Sequence, residues 1–194
     1  MRITGGRFGG RVLAGPDDDR VRPTSDKVRQ AVFNVLAHND FGFTFALENA
    51  RAIDLFAGTG AMGLEALSRG ARSCLFVDNS AESRALVRRN VESLALTGAT
   101  KIWRRNATDL GPLSGNSGGP FELAFLDPPY RERLLAPALN ALRGGGWLAP
   151  DALAVAEYPV DEEPPESGGF ELLDTRSYGD TSIAFLRFRS EPMR

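Results

Sequence analysis

From residue 52 onward, short apolar runs alternate with segments whose apolar positions recur every three to four residues. Ala52–Phe56, Ser73–Asp78, Lys101–Arg105, Glu122–Asp127 and Leu153–Tyr158 read as strands. Between them, Ala61–Ser68 (ended by Gly70), a stretch from Ser80 to about Leu96, and residues 131–142 before Gly144-Gly145-Gly146 read as helices. Phe170–Asp174 and Ser182–Arg189 have no helix between them and meet at Tyr178-Gly179, which predicts an antiparallel hairpin at a sheet edge. Upstream, Val28, Ala31, Val32, Val35 and Leu36 share one face of a helix over 24–37, with Thr24 or Ser25 as its cap and Asp26 in its first turn. The alternation predicts an α/β fold: a Rossmann-like, seven-stranded, mostly parallel sheet with helices on both faces.

Composition narrows the class. A chain of 194 residues, 42% hydrophobic and 25% charged, fits one globular domain. Residues 1–23, rich in Gly and Arg, read as an arm with a short hairpin around Gly5–Leu13, and 24–194 as the main domain. No apolar run reaches the roughly 18 residues of a membrane span, and the opening residues lack a signal-peptide pattern. One cysteine, Cys74, excludes an internal disulfide. A monomeric cytoplasmic protein is the expectation. The net charge is −2, but residues 1–30 hold seven basic and four acidic groups, leaving −5 on the rest. A basic arm on an acidic body suits phosphate contacts; it suits a solubilising terminus equally well.

Gly58-Thr59-Gly60-Ala61-Met62-Gly63 has the G-x-G-x-x-G form, after a strand and opening a helix. Such a turn lets the backbone approach a ligand and offers an anion the helix N-terminus. A side chain at Gly60 is expected to obstruct that ligand. Asp78 ends the second strand, where a carboxylate can accept bonds from ribose hydroxyls, and Asn106-Ala107 follows the third, where an adenine can be read. These features fit NAD, FAD or S-adenosylmethionine alike.

Asp127-Pro128-Pro129-Tyr130 separates those cofactors. It ends the fourth strand, where open α/β sheets place ligands. An exocyclic base amine is a poor nucleophile because its lone pair is delocalised into the ring. Two acceptors bonding both amino hydrogens free that lone pair. Asp127 and the Pro128 carbonyl can supply them; proline brings no competing N–H. Tyr130 can stack on the base.

The glycine turn with Asp127–Tyr130 resembles the class I, amino-directed methyltransferases. Longer strings are similar to the bacterial 16S rRNA guanine-N2 methyltransferases: Arg2-Ile3-Thr4-Gly5-Gly6 with Gly10-Arg11, Arg22-Pro23-Thr24-Ser25-Asp26-Lys27-Val28-Arg29 with Phe33-Asn34, Asp54-Leu55-Phe56-Ala57-Gly58-Thr59-Gly60, Gly63–Ala71, and Tyr178-Gly179-Asp180-Thr181. The resemblance covers nearly the whole chain. It implies S-adenosylmethionine as cofactor, held by Asp54, Phe56, Ala57, Gly58, Thr59, Gly60, Gly63, Asp78, Asn79, Asn106 and Ala107. It implies catalysis by Asp127, Pro128, Pro129 and Tyr130 on 16S rRNA in small-subunit assembly particles. Arg7, Arg11, Arg22 and Thr24 are the expected substrate contacts, with Arg22 and Thr24 alternatively at the mouth of the active site. Asp78 stands where glutamate is common in that family, and Gly111–Gly119 and Asp161–Gly169 match none of its motifs. Deleting residues 1–20 is expected to abolish methylation while sparing cofactor binding.

Other residues fit structural roles: His38 at a helix end, Cys74 in a strand, Trp103 and Trp147 as packing groups. Asp17–Asp19 is a solvated run, and no metal is expected. An adenine-N6 or glutamine methyltransferase would use a similar tetrad. A nucleotide-dependent oxidoreductase explains the glycines but not Asp127–Tyr130. A non-catalytic rRNA-binding assembly factor explains the fold but not an intact tetrad.

Overall fold

A computed structural model describes residues 1–16, 24–38, 40–130 and 132–190. Seven strands form one sheet in the order β3-β2-β1-β4-β5-β7-β6. They are β1 (Arg51–Leu55), β2 (Ser73–Val77), β3 (Thr100–Trp103), β4 (Phe121–Leu126), β5 (Leu148–Pro159), β6 (Phe170–Tyr178) and β7 (Thr181–Phe188). All neighbours are parallel except that β7 runs antiparallel to both β5 and β6, the predicted edge hairpin. The helices are α1 (Asp26–His38), α2 (Ala61–Ser68), α3 (Ala81–Ser93) and α4 (Leu135–Gly144). Strand residues alternate between two cores. Ala52, Phe76, Phe125, Val155 and Phe185 pack with α1, α2 and α3; Ile53, Val77, Leu126, Ala156 and Leu186 pack with α4 and Trp147.

Several boundaries moved for identifiable reasons. Ser25, not Thr24, caps α1: its Oγ accepts the Val28 N–H at 3.2 Å, so the helix starts at Asp26. Helix α4 begins at Leu135 rather than 131, which puts Pro137 in the first turn, where its missing N–H costs nothing. Strand β5 starts five residues early. Pro150 and Asp151 (φ +61°) hid that extension, and the β4–β5 register jumps from Phe121↔Leu148 to Leu123↔Leu153 to accommodate them. The arm does fold back on itself, through an Arg2↔Val12 bridge and bonds joining Ile3 to Gly10 and Arg11, around a single 3-10 turn at Gly6–Phe8. The arm is also pinned to the body. Ile3 and Leu13 are buried, and Asn90 of α3 grips the Ala14 N–H and C=O. No helix among the described residues is long and apolar enough to cross a membrane.

Candidate active site

Strands β1 and β4 lie side by side where the strand order reverses, the switch point at which open α/β sheets bind ligands. Register partners Leu55↔Leu126 put the start of the glycine turn beside Asp127. The turn is tight: Gly60 N–H bonds Ala57 O at 2.7 Å, and Phe56, Gly58 and Gly60 all have φ between +56° and +79°. The glycines differ in what they face. A Cβ at Gly58 would meet nothing closer than 3.9 Å, so that backbone borders open space. A Cβ at Gly60 would lie 3.2 Å from Phe76 and 3.4 Å from Val87; it would press into the core, not into a ligand as the sequence suggested. At Gly63 a Cβ would come within 2.6 Å of Phe76 and Cys74, so this glycine seats α2 on β2.

Two of the remaining expected cofactor residues, Asp54 and Asp78, bond the turn directly. Asp54 is buried beneath it, and its Oδ2 accepts the Gly63 N–H at 3.0 Å, in the first turn of α2. Burial pushes its carboxyl up to about 8; the Gly63 bond opposes this and Asp78 adds to it. Asp78 Oδ2 accepts the Gly58 N–H at 3.0 Å, and its Oδ1 the Ser80 N–H at 2.8 Å. Each oxygen keeps a lone pair for a ribose hydroxyl. Thr59 is held by Asn90, whose amide donates to its carbonyl at 2.9 Å, and by Met1, whose sulfur lies 3.6 Å from its hydroxyl. Asn79 and Asn106 are exposed, and Ala107 is buried; Asn106 Oδ1 folds onto the Thr108 N–H and hydroxyl. This open glycine face, flanked by a strand-ending carboxylate, fits an adenosyl cofactor.

At the tetrad, Asp127 and Glu157 each follow the register pair Leu126↔Ala156, so two carboxylates project side by side. Thr24 stands between them, its Oγ1 2.6 Å from Glu157 Oε2 and 3.2 Å from Asp127 Oδ2. A hydroxyl has one hydrogen. If the shorter contact takes it, the longer one is a hydrogen bond only when Asp127 carries a proton. Burial drives the Asp127 carboxyl well above the usual range, the Glu157 charge adds to this, and the Thr24 bond opposes it. Tyr130 is 44% exposed, yet its hydroxyl is anchored, 2.8 Å from Glu157 Oε1 and 2.7 Å from Thr181 Oγ1. Burial and the neighbouring carboxylates push that phenol up, against the Thr181 bond. A groove of about 370 Å³ opens here, between Pro128–Tyr130, the start of α4, the end of β5 and residues 162–165.

Sequence reasoning missed Glu157 and Thr181. The signal was available for Glu157, an acid near the end of an apolar strand, much like the pattern that marked Asp127. The structure brings Thr24 into the site, whereas Arg7 and Arg11 lie exposed on the arm. Arg22 and Asp17–Asp19 fall outside the described residues. Trp147 is fully buried, stacked on Phe121 and edge-on to Trp103, as packing residues should be. His38 is exposed at the end of α1, and Cys74 is buried, which pushes its thiol up.

The model of the family described as conserved hypothetical protein 95 matches residues 1–187. The chain belongs to this family. Among its relatives, the putative rRNA methyltransferase YlbH of Bacillus subtilis is 35% identical over 191 residues, 97% of this chain and all of that protein. The ribosomal RNA small subunit methyltransferase D of Escherichia coli is 37% identical over 165 residues, 85% of this chain and 78% of that one. The solved structure of the putative methyltransferase yhhF from Escherichia coli superposes with a TM-score of 0.82 at 30% identity, over 98% of this chain and 99% of the other. An RNA methyltransferase from Salinibacter ruber, solved with S-adenosyl-L-homocysteine, shares the fold at 14% identity and a TM-score of 0.59. The conserved hypothetical protein 95 family comprises S-adenosylmethionine-dependent rRNA methyltransferases of the class I fold.

Proposed function

We propose that this chain transfers a methyl group from S-adenosylmethionine to the N2 amine of a guanine in small-subunit rRNA, acting as a cytoplasmic monomer on assembling particles. The observation that carries the reading is Asp127, at the end of β4 beside the glycine turn, with the Pro128 carbonyl next to it in the chain. Gly58, the turn around it and Asp78 would hold the cofactor, which when bound supplies an electrophilic sulfonium methyl. Asp127 and Pro128 would accept the two amino hydrogens, and a protonated Asp127 still accepts through its carbonyl oxygen. Tyr130 would stack on the flipped base; flipping costs a few kcal/mol. The proton freed by methylation leaves the amine afterwards, so Asp127 acts mainly by position and charge.

Relatives named for ribosomal RNA methylation support the rRNA assignment. The test is labelled-methyl transfer to small-subunit particles from cells lacking this gene, followed by mapping of the modified base. A single N2-methylguanine is expected. Label on an adenine, or transfer only to protein, would sink the assignment.

A further inference from the structure

Glu157 has no place in the tetrad, yet it is the point where the site's polar contacts converge. Thr24 holds one of its oxygens, Tyr130 the other, and Thr181 lies 3.4 Å from the latter. It sits one strand over from Asp127 at the same level of the sheet. Three hydroxyls and no guanidinium or ammonium touch its carboxylate among the described residues. The groove wall nearest it in the chain is Pro128, Pro129, Tyr158 and Pro159, and Arg133, Glu162 and Glu163 also line the groove. A carboxylate so placed, bonded by neutral donors among the described residues, has lone pairs to offer whatever enters the groove.

Bases differ in what flanks the reacting amine. In guanine the 2-amino group adjoins N1–H, so two neighbouring positions both donate. In adenine the 6-amino group adjoins an unprotonated N1, an acceptor. We propose that Glu157 selects guanine: it accepts the N1–H while Asp127 and the Pro128 carbonyl hold the 2-amino group. A base with an acceptor at position 1 would set two lone pairs against each other, a mismatch that costs both partners their hydrogen bonds. Thr24, in contact with both carboxyl groups, fixes their spacing, and Tyr130 releases Glu157 as its ring turns to stack.

This inference rests on the proposed guanine-N2 activity, and its test separates the two. Particles are reconstituted with guanine or 2,6-diaminopurine at the mapped position. Both bases carry the 2-amino group, but diaminopurine has an acceptor at N1. Wild type should favour guanine about ten- to a hundredfold in kcat/KM. Glu157→Gln keeps the shape and can present its amide oxygen to N1–H or its amide N–H to an unprotonated N1, so it should lose part of its activity on guanine, gain on diaminopurine and bring the ratio toward one. Equal use of both bases by the wild type would overturn the role of Glu157. So would a Gln variant that loses equally on both, the mark of a merely structural residue. The wild-type comparison alone decides the matter should the variant fail to fold. No transfer to any guanine would instead sink the parent assignment.

Discussion

Two acidic centres, one buried and one half-buried, each touched by the N-terminal segment, end in opposite chemistry. Glu65 on α2 is fully buried and saturated by its partners. Arg29 Nε approaches at 3.1 Å and Arg69 Nε at 2.9 Å, while the Thr4 N–H and hydroxyl donate at 2.9 and 2.7 Å. Arg29, equally buried, also bonds the carbonyls of Arg2 and Thr24 and the carboxylate of Asp26. Among the described residues, Asp127 is bonded by one threonine hydroxyl, and the charge that acts on it most is another carboxylate, Glu157. A buried acid ringed by cations is a finished structural joint; a half-buried acid facing its own kind still seeks donors. The first locks Thr4, Thr24 and Asp26 to α2, and through Thr24 it shapes the second.

The largest expected effect breaks the saturated centre. Arg29→Ala leaves Glu65 with Arg69 and Thr4 only and strips two carbonyls of a buried donor, a loss of about 3–5 kcal/mol in folding stability. Denaturant unfolding checks it; a shift below about 1 kcal/mol, the range of an exposed pair, would mean the joint is not a buried pair in solution. Because the joint holds Thr24, any folded fraction should also turn over slowly.

The unsaturated centre should respond in the other direction. Asp127→Ala should lower turnover about 10²–10³-fold, the cost of removing one preorganised polar group beside a reacting atom, with particle affinity nearly unchanged. Asp127→Asn should retain partial activity, since the amide oxygen still accepts. Both variants should be at least as stable as wild type near neutral pH, because they remove an acid held against Glu157. An Asn variant as inactive as Ala would make Asp127 an obligatory base; a large fall in melting temperature would erase the contrast with Glu65.

Asp54 provides a subtler handle. Folding raises it from about 3.9 in the unfolded chain to about 8. Between those values the folded protein binds more protons than the unfolded one. The contribution of Asp54 to stability therefore falls as pH rises through this window and levels off above it. Asp54→Asn keeps an acceptor for the Gly63 N–H and removes the titration. Melting curves from about pH 4 to 8, the window of that shift, should decline less steeply in the variant; parallel curves would place the Asp54 carboxyl near its ordinary value.

What was legible in the sequence follows from how far apart the partners lie. The glycine turn and tetrad are contiguous strings at strand ends, and alternating periods place them. The joint at Glu65 was invisible: Arg29 and Glu65 are 36 residues apart and each looks like an ordinary surface charge of an amphipathic helix. Thr24 was ambiguous because a hydroxyl before a helix looks like a cap; only Ser25 taking that bond frees Thr24 for the site. Gly60 was expected to face a ligand, whereas a Cβ there would meet Phe76 and Val87, since sequence does not tell which side of a turn faces the core. The 161–169 loop, which matched no motif, supplies Glu162, Glu163 and Pro165 to the groove.

The smallest effect concerns the cations of the arm, and the structure changes how it must be measured. Removing residues 1–20 no longer isolates RNA binding. It strips Ile3 and Leu13 from the core, Thr4 from Glu65 and Met1 from Thr59 of the glycine turn. Arg7 and Arg11 can be removed alone. Both side chains are exposed; Arg7 lies 4.7 Å over the Phe8 ring, and Arg11 reaches the Ser93 carbonyl at 2.9 Å. A clamped arm presents these charges at fixed positions, so a phosphate that meets them pays little ordering entropy. Each arginine–phosphate pair removed should flatten the slope of log affinity against log salt by about 0.7–0.9. The Arg7→Ala/Arg11→Ala double variant should therefore bind particles a few-fold more weakly at low salt, converge with wild type at high salt, and keep its cofactor affinity. Identical slopes would confine the arm to its structural joint and put the RNA grip elsewhere on the protein.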